Sequence, residues 1–512
     1  MNKQQKSFSW LRLLLWSHVF GVIAFYLILW FRSNPRSEKS LQAPSDPSPA
    51  RPPRPDVLRP TGTASARPPV PPIQTVSIIV PARNEQRNIQ RCVTSLLEQD
   101  YGSYEVIVVD DGSTDDTPCI LDDIAHHHPH GDKLWVLRLK DLPSDWAGKP
   151  HALHAGVQEA HGNWLLFTDA DTWHAPNALS TALARATSEQ IDLYTLGTKQ
   201  ELPGFWNKVM MPVAYLGISM QYPIYKVNDP TSAIAIANGQ FILLRRAVYD
   251  ITGGYARPDL RNTLLDDRDL AHVVKQNGFR LRMEDGQNLV HVYMYSNLRD
   301  TWRGWRKNAY LGSRGGVPFV LLELLGLPMI AIVPFLLPLF AWLSWRTRSN
   351  KIARSSDHSL PRRGSSGHTE RNTGQIKGIA IGGRTPAMGP APHPHRPRPY
   401  DIRTRAASEH SRDGGWDDVG LGPLRASALF HHTERTRTRP VTPQELALAG
   451  ALELGSVLSY RLWLDRNLAV PWYYAFTYPL AAALFTGILA ESAWRVLTHK
   501  GVDWSGRTYY EK

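Results

Sequence analysis

An α/β catalytic domain flanked by membrane-spanning helices is the architecture this sequence predicts, and three patterns predict it. The stretch from Trp10 to Phe31 is almost continuously apolar. Between Thr75 and about Tyr310, short apolar runs alternate with helical patterns. A further apolar run, Leu468 to Leu497, lies near the C-terminus. Strand-then-helix alternation argues for a sheet with largely parallel strands.

The first run is long enough to cross a bilayer, since about 20 helical residues span a ~30 Å hydrocarbon layer. Arg12 can snorkel, and Arg32, Ser33, Asn34 and Pro35 follow without a small-residue cleavage site, so residues 1–33 read as an uncleaved anchor. Residues 34–74, rich in Pro, Ser and Arg, read as an extended tether. The catalytic domain occupies residues 75–312, with strands expected at Val76–Val80, Glu105–Val109, Leu134–Leu139 and Trp164–Thr168. Its first helix is legible from spacing, because Ile89, Cys92, Val93, Leu96 and Leu97 recur at helical intervals.

Beyond the domain, residues 313–345 are apolar but carry Glu323, Pro328, Pro334 and Pro338, which predicts a kinked spanning or re-entrant segment. Residues 346–440 are dominated by Arg, Pro, Ser, Gly and His, a composition that cannot bury enough surface to offset chain entropy, and read as a disordered insert. Residues 441–498 hold C-terminal membrane helices, a shorter one at Leu446–Tyr460 and a spanning one around Tyr473–Ala490, before a polar tail at 499–512.

The net charge of +12 suits nucleic acid, an anionic bilayer or a phosphorylated substrate alike, so charge alone selects no partner. The basic insert reads as a solvated linker, and no nucleic-acid partner is expected. The two cysteines, Cys92 and Cys119, give no disulfide framework, fit a reducing compartment and read as buried small side chains. His126-His127-His128-Pro129-His130 reads as a solvated loop, because consecutive histidines cannot all face one ion.

Two carboxylate clusters close apolar strands: Asp110-Asp111 after Val106–Val109, and Asp169-Ala170-Asp171 after Leu165–Thr168. Ligands of open α/β sheets bind outside the carboxyl ends of the strands, where these acids would lie. An Asp-x-Asp turn there is a sensible way to hold Mg²⁺ or Mn²⁺ against a diphosphate, because hard cations take oxygen ligands and keep substrate phosphates in their shell. Lys149, in Trp146-Ala147-Gly148-Lys149-Pro150, sits at a loop-to-helix junction where it can meet a phosphate. Asp266-Asp267 opens an amphipathic helix as a coupled acidic pair, and the sequence does not decide which acid carries a shared proton.

The ordered series Ser77-Ile78-Ile79-Val80-Pro81-Ala82-Arg83-Asn84-Glu85, Val108–Thr117 and Phe167–Asp171 resembles the opening half of family 2 glycosyltransferases of the GT-A fold, a Rossmann-like nucleotide-binding fold. The resemblance implies nucleotide-sugar contacts at Pro81, Asn84, Glu85, Asp110, Asp111 and Asp169, and metal contacts at Asp169 and Asp171. It also implies that Asp267 is the general base, with Asp266 beside it, in a motif where Asp replaces the family's Glu. In-line attack by an acceptor oxygen on the anomeric carbon would then invert the sugar's configuration. Ala237–Arg246, Tyr293-Met294-Tyr295, Trp302–Asn308 and the tail Trp504–Tyr509 resemble the hopene-associated and carotenoid-type lipid glycosyltransferases.

These resemblances imply a nucleotide-sugar donor, a UDP-sugar first, and a lipid-like acceptor; the apolar runs imply an integral membrane protein, and because nucleotide-sugars are typically cytosolic its catalytic domain is expected to face the cytosol. Two alternatives remain open at the sequence level. One is a processive polysaccharide synthase, although the Gln-x-x-Arg-Trp signature of that group is absent and Trp302-Arg303 and Trp305-Arg306 run in the reverse order. The other is a degenerate membrane-bound scaffold or nucleic-acid-binding protein.

Overall fold

The computed structural model describes residues 10–33, 74–295, 297–311, 316–357, 441–498, 500, 502–504 and 507–509. The expected tether up to residue 73, nearly all of the expected insert and half of the polar tail lie outside the described residues. The strands are β1 Val76–Ala82, β2 Tyr104–Asp110, β3 Leu134–Arg138, β4 Trp164–Phe167, β5 Thr172–His174, β6 Leu193–Gly197, β7 Lys199–Gln200, β8 Ile242–Arg245, β9 Leu281–Asp285, β10 Val290–Val292, and the paired β11 Val502–Trp504 and β12 Arg507–Tyr509. The longer helices are α1 Trp10–Ser33, α2 Ile89–Leu97, α3 Thr117–His127, α4 Gly148–Glu159, α5 Ala178–Ser188, α6 Phe205–Gln221, α7 Asp266–Gln276 and α8 Leu298–Leu311. They continue with α9 Gly316–Ala331, α10 Val333–Asp357, α11 Pro443–Asn467 and α12 Tyr478–Leu497.

Seven strands form one sheet in the order β3-β2-β1-β4-β8-β6-β9. The strands β3, β2, β1 and β4 run parallel, as the sequence pattern implies. The sheet as a whole is mixed, because β8 is antiparallel to both β4 and β6 while β6 and β9 are parallel. Helices cover both faces, which is why β1 is apolar without a break from Ile78 to Ala82 rather than alternating. Within it the side chains still divide by face: Ile78 and Val80 pack with α2 through Leu96 and Leu97, and Ile79 packs with α4 through Ala152 and Leu153. A smaller sheet, β5-β10-β7, lies after the turn that follows β4.

β1 lies between β2 and β4, so the chain leaves β1 toward one side for β2 and β3 and returns to its other side for β4. The crevice at such a switch of direction receives the carboxyl ends of β1, β2 and β4. Pairing of Ala82 with Asp110 and of Ile79 with Phe167 puts Pro81, Asp111 and Asp169 along one edge of the sheet.

Outside the sheet, α1, α6, α9, α11 and α12 share an apolar core that includes Val22, Tyr26, Met210, Ala331, Val457 and Ala481. Trp10–Arg32 and Trp472–Leu497 are long and apolar enough to cross a membrane. The expected kink between 313 and 345 is a break between α9 and the start of α10, bent by 46°, a broken span or a re-entrant loop. α10 continues past Trp345 to Asp357, so the start assumed for the insert at 346 is too early. The helix expected at Leu446–Tyr460 is longer, Pro443–Asn467, because a capping box between Thr442 and Glu445 starts it early.

Cys92 is buried as expected, but Cys119 is exposed. The buried stripe of α3 is Thr117, Leu121 and Ile124, and Cys119 falls off it.

Candidate active site

The loop after β2 is fastened to the loop after β1 by side chains from both loops. Asn84 adopts φ 58°, a left-handed conformation that asparagine tolerates better than most residues. In that pose its Oδ1 accepts from Thr114 N at 2.8 Å while its own N–H donates to Ser113 Oγ at 2.9 Å. Glu85 N donates to Thr117 Oγ1 at 2.8 Å, and Gln86 N donates to Asp115 Oδ2 at 3.1 Å. Asp110 is buried and its Oδ1 accepts from Ser113 N at 2.9 Å. Asn84 and Asp110 thus shape the loop, while Pro81, Glu85 and Asp111 line the cavity beside it.

The Asp169-Ala170-Asp171 turn is braced from behind. Thr172 Oγ1 donates to Asp169 O at 2.8 Å, Thr168 Oγ1 donates to Gln240 O at 2.9 Å, and His174 Nε2 stands 3.0 Å from each hydroxyl. Burial pushes the His174 pKa down to about 3, so the ring is neutral. Such a satisfied polar network fixes the direction in which the two aspartates point.

The second acidic pair comes from the start of α7, where the helix N-terminus favours negative charge. Lys149, in the first turn of α4, reaches across to both clusters: its Nζ lies 2.7 Å from Asp169 Oδ1 and 3.3 Å from Asp266 Oδ2. Asp267 Oδ2 accepts from Gly239 N at 3.1 Å. A Cβ on Gly239 would stand 3.1 Å from Lys149 Nζ, 3.4 Å from Asp267 Oδ2 and 3.6 Å from Asp169 Oδ2. The glycine therefore sits where the three charged groups converge.

The charges are not balanced within this centre. Burial works against the Lys149 ammonium, but Asp169, Asp266 and Asp267 outweigh it and hold its pKa above the ordinary lysine value. Burial, then the charges of Asp169 and Glu85, drives the Asp171 carboxyl well above the usual carboxylate range. Asp171 Oδ1 is buried without a hydrogen-bond partner. Burial also raises Asp266, against the pull of Lys149. Lys307 of α8 faces the same carboxylates; burial, then repulsion from Lys149, lowers its pKa.

One cavity gathers Pro81, Glu85, Asp111, Lys149, Asp169, Asp171, Asp266 and Asp267. Among the sequence-derived candidates, Asn84 and Asp110 lie behind its wall. His126 and His127 are exposed at the end of α3, and the His126 ring bonds back to Asp122 O at 2.6 Å.

Residues 77–252 match the family model described as Glycosyl transferase family 2. This stretch is a family 2 glycosyltransferase domain. The domain's relatives include a 4,4'-diaponeurosporenoate glycosyltransferase of Staphylococcus aureus, 25% identical over 255 residues, covering 48% of this chain and 64% of that protein. Another is a beta-monoglucosyldiacylglycerol synthase of a Nostoc species, 31% identical over 217 residues, 41% of each chain. The chain thus spans less than two thirds of the length of these relatives. A solved mannosyltransferase from Pyrobaculum calidifontis, in complex with GDP-Man and Mn²⁺, overlaps 58% of this chain and 72% of its own at 22% identity and a TM-score of 0.40.

The glycosyltransferase domain brings two residues to its centre that were not singled out as site residues. Gly239 stood only within the Ala237–Arg246 motif, where a backbone group donating to an acid leaves no side-chain signature. Lys307 lies beyond the matched stretch, among the aromatic and basic residues of Trp302–Asn308, where nothing in the sequence sets it apart from its basic neighbours.

Proposed function

We propose that the protein is an inverting, metal-dependent glycosyltransferase that moves a sugar from a nucleotide-sugar to a hydroxyl or carboxyl group of a lipid-like acceptor at the membrane. The observation that carries this reading is the convergence of Asp169, Asp171, Asp266, Asp267 and Lys149 in one cavity at the carboxyl ends of β1, β2 and β4. The names of the relatives, a 4,4'-diaponeurosporenoate glycosyltransferase and a beta-monoglucosyldiacylglycerol synthase, support a lipid-like acceptor. The helices able to cross a membrane support its place beside a bilayer.

In this reading Asp267, held by Gly239 N, accepts the proton of the acceptor oxygen. That oxygen bonds to the anomeric carbon as the bond from the carbon to the nucleotide diphosphate breaks, and the bonding pair leaves with the diphosphate. Lys149 at the N-terminus of α4, with Lys307 opposite, meets the diphosphate oxygens. Asp266 keeps Lys149 in position. Pro81, Glu85 and Asp111 face the nucleotide, and Asn84 and Asp110 hold the loop that presents them.

The residues fit a hard divalent cation, Mg²⁺ or Mn²⁺, because Asp171 carries a buried oxygen without a partner beside a second carboxylate. Asp169 and Asp171 would hold the ion, which when bound stabilises negative charge on the departing diphosphate. Among the described residues no three His, Cys, Asp or Glu side chains gather into a metal-binding group, so substrate oxygens and water would complete its shell.

Nucleotide-sugars are typically cytosolic, so the catalytic domain, residues 75–312, faces the cytosol. The test is a screen of UDP- and GDP-sugars with purified full-length protein and a membrane lipid extract, read by mass spectrometry of the organic phase. The expected result is a glycosylated lipid that forms with Mg²⁺ or Mn²⁺ and is lost with a chelator. No sugar on any lipid from any donor would overturn the reading.

A further inference from the structure

The cavity that holds the carboxylates extends beyond the glycosyltransferase domain. Its volume is about 1820 Å³, whereas small-molecule pockets usually measure ~300–1,000 Å³. The excess is bounded by the helical bundle: Leu322, Leu327 and Ile330 of α9, Phe25 of α1, and Trp463 and Leu464 of α11 all line it. One end of the cavity is therefore densely charged, while the side bounded by the bundle is mainly apolar, with Glu323, Arg32 and Arg466 also on its lining.

Two glycines widen the apolar end. Gly217 of α6 and Gly326 of α9 both line the cavity, and no atom lies within 4 Å of where either Cβ would stand. Glycine inside a helix costs roughly 1 kcal/mol relative to alanine, so two of them facing an open space keep that space at the expense of helix stability. The same two helices are tied together where Gln221 Nε2 donates to Glu323 Oε1 at 3.3 Å. The one acid in the α9 sequence is thus hydrogen-bonded, as burial beside an apolar chain requires.

Building on the catalytic reading above, we propose that the arm between α6 and α9 is the binding site for the long apolar chain of the acceptor, with the acceptor's hydroxyl or carboxyl at Asp267. An amphiphile with one reactive polar end and one long apolar chain matches a cavity that is charged at one end, mainly apolar at the other and continuous between them. A water-soluble sugar acceptor would leave the apolar arm unfilled.

The experiment uses full-length protein in lipid nanodiscs, a diazirine-bearing hexadecanol as photolabel, and peptide mass spectrometry to locate the adducts. Label is expected on cavity-lining residues of α6 and α9. Gly326→Trp, which fills the arm, is expected to reduce it by about tenfold. Gly217→Leu narrows the arm from the opposite wall and gives an independent reading should the larger substitution disturb folding. Gly455→Trp, on α11, also enters open space but does not line the cavity, and leaves labelling unchanged. Label confined to outward side chains such as Leu321 and Leu325, and indifferent to both cavity substitutions, overturns the inference. Absence of lipid glycosylation by the wild-type protein, whatever the label does, counts instead against the catalytic reading.

Discussion

At Gly239 the nearest neighbours of an added Cβ are all charged: the Lys149 ammonium at 3.1 Å and the carboxylates of Asp267 and Asp169 at 3.4 and 3.6 Å. Gly239→Ala would push Lys149 away from the diphosphate position without disturbing the apolar core. Misplacement of reacting groups by about 1 Å costs on the order of 10²-fold in rate, so transfer is expected to fall by about that factor while thermal stability stays near wild type. His174, behind the Asp-x-Asp turn, gives a pH signature. Its folded pKa is depressed to about 3, so its contribution is complete above the unfolded histidine value, ~6.5, and is lost as pH falls toward the folded value. Between pH 7 and 5 this costs about 2 kcal/mol, and His174→Gln is expected to show a shallower loss of melting temperature over that range. The acidic motifs were legible because each closes an apolar strand or opens a helix. Gly239 and Lys307 were not, because their roles depend on groups far away in sequence.

Helix α8 shows how an element acquires a role that its own sequence does not fix. Its Trp302 Nε1 and Arg306 Nη1 donate to Glu491 of α12 at 2.7 and 2.9 Å, and Arg495 Nε donates to the same carboxylate at 3.1 Å. Ser492 Oγ donates to Arg306 O at 2.7 Å and accepts from Tyr310 N at 3.1 Å. This clamp sets the rotation of α8 and thereby turns Lys307, rather than Arg306, toward the carboxylates. Glu491→Ala is expected to destabilise the protein by about 2 kcal/mol and to lower transfer as Lys307 loses its place; Arg495→Ala, which leaves the two α8 donors bound, is expected to do little of either. Periodicity sufficed for α2, whose predicted stripe of Ile89, Cys92, Val93, Leu96 and Leu97 is buried throughout. It failed for the length of α11, whose Arg461 and Asp465, just past the expected end at Tyr460, pair at 2.8 Å. Those charges look like interruptions until their partners are known.

Across the whole molecule, the parallel half of the sheet was readable from strand-helix alternation, but the antiparallel insertion of β8 between β4 and β6 was not. Strand direction there is decided by the long path through α6, which joins the helical bundle before the chain returns to the sheet. The orientation of the catalytic domain can be read from its thiols. Cys119 is exposed and Cys92 buried, so a membrane-impermeant maleimide is expected to label Cys119 in inside-out vesicles and not in right-side-out ones; the opposite pattern would place the domain outside the cytosol. Excision of residues 358–440 is expected to leave lipid glycosylation in place, whereas a nucleic-acid scaffold would lose its longest basic segment.

The central claim is that Asp267 takes the acceptor proton within a centre that binds the donor through other groups. Donor affinity and sugar transfer measured side by side for Asp267→Asn in purified full-length protein test it most directly. Donor binding is expected to stay within about threefold of wild type while transfer falls by at least ~10²-fold. Retention of transfer, or loss of donor binding in step with it, would contradict the assignment.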